Sequence, residues 1–367
     1  MEPRERVLTT LRREMPDRVP YDITPYGNGF DGFNREAACL FKEKTGSDNP
    51  DEYFGVEKDI GWVSFKESSL DLKERFLKFH NLSGDSSFTL DEWGTALVTG
   101  SDPAFNHFVA PSAMTNAGSI REIEEYPLPD LTSDYRHGHL EEAVKKINEK
   151  EIASVAAMNM TIFEVAWQIR GFNELLTDFI CNEELAACLL DRITHLRIFQ
   201  AKRFAEAEAD IIHVGDDVGM EDRLMMSPDL WRKWFKPRLA KIIRTAKEIK
   251  PDVLFFYHSD GYVEPIIPDF IEIGIDVLNP VQPECMNPAK LKREFGDKLA
   301  FWGTLGIQHT LPFGTPEEVE EEVKERIETV GKDGGLYLSP THVIAPEVPY
   351  ENIFAFVEAV KKYGRYE

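Results

Sequence analysis

Residues 255–261 of this chain, FFYHSDG, change from aromatic to polar side chains within a few positions, as a buried strand does where it ends. His258 and Asp260 are two residues apart, so on an extended strand their side chains share one face. With a third group from another strand they could hold Zn²⁺ and leave a coordination position open for substrate. We expect His342, which follows a later apolar run, to be that third ligand. In the alternative interpretation His258 is a hydrogen-bonded structural residue and Asp260 caps a turn.

Carboxylates that could move protons follow other apolar runs. Asp216 and Asp217 occur in HVGDDVG and Glu284 in NPVQPEC, and we expect these three residues to be catalytic. The paired aspartates could equally cap a helix or a turn, so their spacing leaves both roles open. Other polar groups occupy similar positions, and the residues expected to contact substrate are Asp22, Tyr26, His213, Asn279 and Gln282.

These polar groups need a scaffold that brings the ends of distant strands together. Short apolar runs alternate with amphipathic helices, and eight runs are predicted to be strands, at 19–23, 59–65, 152–158, 211–214, 253–257, 277–278, 300–302 and 336–338. Ser227-Pro228 and the capping box at 315–318 mark the starts of two of the helices. Such βα alternation predicts a parallel sheet covered by helices.

Eight βα units favour an α/β fold of the (β/α)8 or TIM barrel type, with residues 1–367 as a single domain. The polar, turn-rich segment 66–150 is predicted to be an insertion after the second strand that shapes the pocket. In such a barrel the chemistry belongs to the carboxyl ends of the strands, which is where the residues above are expected to lie.

Composition excludes several kinds of partner. The 367 residues carry a net charge of −23, from 65 acidic and 42 basic residues, so we expect no nucleic acid and no anionic membrane as partner. No apolar run reaches the roughly 18 residues that a membrane span needs, and the charged start lacks the apolar region of a signal peptide. The four cysteines have no CxxC spacing. We therefore expect a cytoplasmic protein without a disulfide framework.

The order of these strand ends resembles the uroporphyrinogen decarboxylase superfamily. The resemblance runs from PRERVLTTLRREMPDRVPYD to the end of the chain, and its strongest segments are HVGDDVG, HSDG, IPDFIEIGIDVLNPVQPECM, LKREFGDKLAFWGTLGIQ and SPTHVIAPEVPYENI. It implies a barrel fold and one of two activities. These are the decarboxylation of a tetrapyrrole in haem synthesis and the exchange of methyl groups with corrinoid proteins.

Two departures from the decarboxylase pattern favour the methyltransferase branch. The decarboxylase carries an arginine-rich segment after its first strand that binds substrate carboxylates, whereas PYGNGFDGF stands at that place here and contains no arginine. The zinc methyltransferases have an H-x-C pair after the fifth strand and a cysteine after the eighth. Their counterparts here are His258-x-Asp260 and a position at or beside His342. This harder ligand set suits an oxygen-bearing methyl donor, such as a methoxylated compound, better than a thiol.

The resemblance therefore implies a zinc-dependent enzyme that moves a methyl group from a small methylated substrate to a corrinoid carried on a separate protein. The alternative is a metal-free lyase that acts on a smaller carboxylated substrate, with Asp216 and Asp217 as proton donors. A non-catalytic binding protein on an inherited barrel is the third possibility. The family, together with the aromatic residues on the helices after the fourth strand, also predicts a homodimer. Trp231, Trp234 and Phe235 in that region are interpreted as core or interface residues.

Overall fold

A seven-stranded parallel sheet forms the centre of the computed structural model, which describes residues 1–23, 33–80, 88–99, 106–109 and 111–366. The strand order is β1-β5-β6-β7-β8-β9-β10, and a separate antiparallel sheet has the order β2-β3-β4. The strands of the described residues are β1 (Ile60–Val63), β2 (Thr89–Leu90), β3 (Ala96–Thr99), β4 (Asn106–Phe108), β5 (Ala153–Met158), β6 (Ile211–Gly215), β7 (Leu254–His258), β8 (Val277–Asn279), β9 (Ala300–Leu305) and β10 (Leu336–Pro340).

Helices connect the parallel strands, as the alternating pattern predicts. Within the described ranges they are α1 (Pro3–Leu11), α2 (Arg35–Thr45), α3 (Pro50–Phe54), α4 (Leu72–Phe76), α5 (Ile120–Glu125), α6 (Asp134–His137), α7 (Leu140–Asn148), α8 (Phe163–Arg170), α9 (Phe172–Cys181), α10 (Glu183–Glu206), α11 (Pro228–Trp234), α12 (Lys236–Ile249), α13 (Ile267–Ile273), α14 (Pro288–Phe295), α15 (Thr310–Phe313), α16 (Pro316–Thr329) and α17 (Tyr350–Tyr363). The predicted caps are present: Ser227 accepts from the N–H of Leu230, and Thr315 forms a capping box with Glu318.

The α/β fold with a parallel sheet is confirmed, and seven of the eight predicted strands belong to it. The remaining segment, 19–23, pairs with β10 through a single parallel bridge between Tyr21 and Leu338. The Leu338 N–H donates to the Pro20 carbonyl over 3.0 Å, and the Asp22 N–H donates to the Leu338 carbonyl over 3.1 Å. In the described part of the chain no ladder joins this segment to β1, so hydrogen bonds do not close the sheet into a complete ring.

The sheet curls, because one face of all seven strands packs into one apolar cluster. Its strand members are Ile60, Ala153, Val155, Ile211, Leu254, Phe256, Val277, Ala300, Trp302 and Tyr337. The Tyr337 hydroxyl donates to Asp59 over 2.7 Å, which links the last strand to the residue before the first across the interior. Val7, Leu8 and Leu11 of α1 join this cluster. Arg4 of α1 binds Asp210, which precedes β6, so the helix covers the amino ends of the strands. The carboxyl ends form the other rim.

The outer face of the sheet packs under the helices in a second, larger core. Trp231, Trp234 and Phe235 are buried in it, so these aromatic rings pack within the chain and do not form a dimer surface. Residues 66–150 lie between β1 and β5 and contain the antiparallel sheet and helices α4 to α7. Among the described residues no helix is long and apolar enough to cross a membrane.

Candidate active site

A cavity of about 270 Å³ lies at the carboxyl ends of the parallel strands. Its lining residues come from the loop after β5 and the start of α8, from β6 and β7 and the loops that follow them, and from the loop after β10. They are Asn159, Met160, Glu164, His213, Gly215, Asp217, His258, Asp260 and His342. The cavity therefore lies where a parallel α/β sheet is expected to carry its chemistry.

Strand register brings the central residues together. Gly215 pairs with His258, and His258 pairs with Asn279, so three neighbouring strands end at one level. A side chain at Gly215 would place its Cβ 2.5 Å from the carbonyl oxygen of His258. Only glycine allows this close approach of β6 to β7, and His258 is thereby held at the cavity edge.

Asp217, His258 and Asp260 form a group whose potential ligand atoms all lie within 4.8 Å of one another. The Nε2 atom of His258 is 3.8 Å from Asp217 Oδ1 and 4.0 Å from Asp260 Oδ2. The Asp260 N–H donates to Asp217 Oδ1 over 2.8 Å and so holds the two acidic residues together. The Nε2 atom of His342 lies 3.5 Å from Asp260 Oδ2 at the edge of this group.

The three residues that the structure groups together differ in one residue from the three predicted metal ligands. His258 and Asp260 lie side by side as predicted, and the third member of the group is Asp217, which sequence reasoning had placed among the catalytic residues. His342 contacts Asp260 but lies outside the three-residue group, so its role as a ligand stays a prediction.

The neighbouring aspartate, Asp216, faces away from the cavity. Its carboxylate accepts the backbone N–H groups of Ile162 and Glu164, each over 3.0 Å, at the start of α8. Burial raises the pKa of Asp216 to about 7, while these backbone hydrogen bonds lower it. Asp216 therefore caps the start of α8. For this residue the structure supports the capping role, which the sequence had left open beside a catalytic one.

His213 lies at the floor of the cavity between aromatic rings. Its ring centroid is 4.8 Å from Phe256 and 5.4 Å from Trp62. Burial, with a smaller contribution from His258, lowers the pKa of His213 well below its usual value. The side chain is thus a neutral imidazole on the cavity lining, and its contact with substrate stays a prediction.

Four other residues expected to touch substrate or to act on it are not among the cavity-lining side chains. Asn279 contacts His258, and Gln282 accepts the Gly261 N–H over 2.5 Å. Glu284 accepts the Gln308 N–H over 3.0 Å, and Asp22 is buried beside the last strand. These contacts support the loops around the cavity. Tyr26 lies outside the described residues.

Four of the cavity-lining residues were missed in the sequence: Asn159, Met160, Glu164 and Gly215. A signal was available, because Asn159 follows the predicted strand 152–158 directly and Glu164 lies one turn further on. Arg197 fixes this loop by donating to the carbonyls of Asn159, Met160 and Thr161 over 3.3, 2.7 and 2.9 Å. Met160 has a positive φ of 50°, which is uncommon for a residue with a side chain.

Glu164 shares the acidic wall of the cavity with Asp217. Its Oε2 accepts the Asp217 N–H over 3.2 Å. Burial and the charges of Asp217 and Asp216 raise the pKa of Glu164 to about 9. The side chain therefore carries a proton at neutral pH and adds a hydrogen-bond donor, and no charge, to the wall.

This protonation makes the stability of the metal-free protein pH-dependent. The folded state keeps the Glu164 proton up to about pH 9, while the unfolded chain loses it near the usual pKa of 4.5. The protonated Glu164 therefore makes its full contribution to the free energy of unfolding below pH 4.5, and this contribution is lost as pH rises to about 9. The loss is at most about 1.4 kcal/mol per pH unit. Glutamine mimics the protonated form at every pH. The free energy of unfolding of Glu164→Gln, measured with urea, should therefore rise relative to that of wild type as pH increases from about 5 to 9.

The matched control for this experiment is Glu321→Gln, on the exposed face of α16. Its stability should follow the wild-type curve at every pH. If Glu164→Gln also follows the wild-type curve, Glu164 is ionised at neutral pH and the acidic wall carries one more charge.

A parallel α/β sheet with ionisable groups at the carboxyl ends of its strands is the arrangement of α/β barrel enzymes. The chain belongs to the uroporphyrinogen decarboxylase (URO-D) family, whose family model matches residues 96–363. The resemblance seen in the sequence is thereby confirmed.

Relatives in this family include both methyltransferases and decarboxylases. The chain is 28% identical over 238 residues to the methylcobamide:CoM methyltransferase MtaA of Methanosarcina barkeri, a match to 64% of this chain and 66% of that protein, just under two thirds. A uroporphyrinogen decarboxylase of Coxiella burnetii is 25% identical over 182 residues, 48% of this chain and 47% of the relative. The structure of a methyltransferase from Methanosarcina mazei covers 99% of both chains with a TM-score of 0.66 and 22% identity, which shows the shared fold.

Proposed function

We propose that this chain is a corrinoid-linked methyltransferase in which Asp217, His258 and Asp260 hold a zinc ion. The observation that carries the proposal is the convergence of one imidazole and two carboxylates within 4.8 Å at the cavity. The similarity to MtaA, a methylcobamide:CoM methyltransferase, supports the choice of reaction class. The proposed acceptor is a corrinoid carried on a separate protein.

The chemistry of the donor atoms fits a divalent metal. Catalytic zinc sites use three nitrogen, oxygen or sulfur ligands and keep further positions for water and substrate. Two carboxylates balance the charge of a divalent ion, and Asp260 Oδ1 is buried without a hydrogen-bond partner among the described residues. Burial raises the pKa of Asp260, and His258 and His342 lower it, so an added cation would stabilise the ionised form.

The residues of the cavity have distinct proposed roles. When bound, zinc would act as a Lewis acid on the heteroatom of the donor to which the methyl group is attached, and so make that heteroatom a better leaving group. His213 provides a neutral floor for the substrate, and Glu164 holds a proton on its carboxyl group beside Asp217. His342, on the loop after β10 and 36% exposed, is proposed to orient the substrate or to serve as a further ligand.

The cavity wall also limits the class of methyl donor. Neither lysine nor arginine is among the described residues that line it. A tetrapyrrole with many carboxylates would find no cationic partner on this wall, and the net charge of −23 would repel it. Oxygen-rich ligands suit an oxygen leaving group, so we propose a small methoxylated compound as donor.

The alternative is a metal-free lyase for a smaller carboxylated substrate. Its specific support is the protonated Glu164, since a carboxylic acid in a partly buried cavity can donate a proton to a carbanion. The sequence predicted Asp216 and Asp217 as the proton donors of such a lyase. Because Asp216 caps a helix in the structure, Glu164 would replace it as a proton donor beside Asp217. The homodimer and the cytoplasmic location stay predictions, as does the assignment of residues 1–367 to one closed barrel domain.

Two measurements on the purified 367-residue chain test the proposal. Elemental analysis should find about one zinc per chain, as expected for a single catalytic site. With a methoxylated aromatic donor and free cob(I)alamin as acceptor, the visible spectrum should report formation of methylcobalamin. Chelation should abolish the reaction and added Zn²⁺ should restore it. A protein that binds no divalent metal, or that releases CO₂ from a carboxylic acid without metal, would overturn the proposal in favour of the lyase.

A further inference from the structure

Asn279, the last residue of β8, is fully buried directly behind His258. Its Oδ1 lies 2.7 Å from Nδ1 of His258, and its Nδ2 donates to the Trp302 carbonyl over 3.2 Å. The backbone adds a third link, since the Ser259 N–H donates to the Asn279 carbonyl over 2.8 Å. Both ends of the amide are therefore engaged, one by a neighbouring strand and one by the imidazole.

These contacts determine which nitrogen of His258 carries the proton. A backbone carbonyl can only accept, so the NH₂ group of Asn279 must face Trp302 and its oxygen must face His258. That oxygen can also only accept, so Nδ1 of His258 must be the protonated nitrogen. In a neutral imidazole the other nitrogen, Nε2, then carries the lone pair that a metal can use, and Nε2 is the atom that faces Asp217 and Asp260.

We infer that Asn279 is a positioning residue that fixes His258 in the tautomer able to bind a metal. The inference rests on the proposed metal site. It gives Asn279 a role in positioning a metal ligand, whereas the sequence had predicted that this residue contacts substrate. Without Asn279, the two carboxylates beside Nε2 would favour a proton on that atom, because an Nε2–H can donate to them. The metal would then have to displace this proton, and partners of this outer kind typically change metal affinity by 10 to 100-fold.

Substitutions at Asn279 separate this role from a purely structural one. Asn279→Leu removes both hydrogen bonds and keeps the branched shape of the side chain. Asn279→Asp keeps an acceptor against Nδ1 of His258, since a carboxylate can only accept, but loses the donor to Trp302. Asn352→Leu is the matched control, because Asn352 is also a buried asparagine that donates to two carbonyls, those of Leu311 and Gly314, and does not line the cavity.

The first measurement is Zn²⁺ affinity by competition with a chromophoric chelator. We expect Asn279→Leu to bind Zn²⁺ about 10 to 100-fold more weakly than wild type. Asn279→Asp should stay within about threefold of wild type, and Asn352→Leu should match it although both Leu variants lose stability. If Asn279→Leu does not fold, Asn279→Ala carries the same expectation. Equal affinity in the wild type and the folded Leu or Ala variant would overturn the inference while leaving the metal site in place.

The second measurement reads the tautomer itself in metal-free protein. Long-range ¹H–¹⁵N correlation spectra of histidine-labelled protein should show the Nδ1–H form of His258 in the wild type and in Asn279→Asp. The signals should move toward the Nε2–H form in Asn279→Leu. An Nε2–H form in the wild type would overturn the inference even if the protein binds zinc. If the wild type binds no metal but shows the Nδ1–H form, the proposed function fails and the role of Asn279 in setting the tautomer stands.

Discussion

Replacing His258 with alanine is expected to remove the bound metal and the activity and to leave the unfolding midpoint within a few degrees of wild type. His258 supplies the only nitrogen of the three-residue ligand group, so its loss should weaken zinc binding by at least about 10-fold. The cost to the fold is small, because His258 ends β7 at the cavity rim. Losing its hydrogen bond to Asn279 costs about 1 to 3 kcal/mol, because the buried Oδ1 of Asn279 is left without that donor. Elemental analysis and calorimetry on metal-free protein measure the two effects separately.

The control for this experiment is His195→Ala, an exposed histidine on α10. This variant should keep the zinc content of wild type, which would show that replacing a histidine elsewhere in the chain does not remove the bound zinc. If His258→Ala retains its zinc, the metal lies elsewhere and the proposed site fails. If the substitution unfolds the protein, His258 has the structural role that the sequence had left open.

Most of the sheet could be predicted because each parallel strand is an apolar run that ends in a turn, and local sequence is enough to show that. The segment 19–23 has the same apolar character, yet within the described ranges it forms one bridge with β10 and joins no ladder as a strand. Pro20 gives the physical reason, since proline has no N–H to donate and is confined to the edges or starts of strands. A prediction that weighs proline would have placed this segment at the margin of the sheet.

The candidate site was only partly predictable, for reasons that differ between residues. The spacing of His258 and Asp260 indicates a shared face because an extended chain alternates regularly. Glu164 and Asp217 are 53 residues apart and meet only because β5 and β6 are neighbours in the sheet. Asp216 and Asp217 are adjacent, so one of them must point away from the cavity. The sequence does not say which, because the outcome depends on the helix that starts beside them.

Asp216 and Asp217 are expected to respond in opposite ways to substitution. Asp216→Ala should lower the free energy of unfolding by about 2 to 4 kcal/mol. Losing a helix N-cap costs about 1 to 2 kcal/mol, and burying unpaired N–H groups adds a similar amount. The groups left without an acceptor are the backbone N–H of Ile162 and of Glu164, and the site of Asp216 is only 1% exposed. Urea unfolding of metal-free protein measures this change without interference from zinc.

Asp217→Asn is the partner experiment, and its effect should fall on the metal. The amide oxygen of asparagine can still accept the Asp260 N–H, so the free energy of unfolding should stay within about 1 kcal/mol of wild type. The substitution removes one of two ligand charges, and zinc affinity should therefore fall by at least about 10-fold. Folded Asp216→Ala should still bind zinc, because Asp217, His258 and Asp260 are unchanged. If instead Asp217→Asn unfolds the protein, or Asp216→Ala alone loses the metal, the assignment of the two aspartates is reversed and Asp216 belongs to the site.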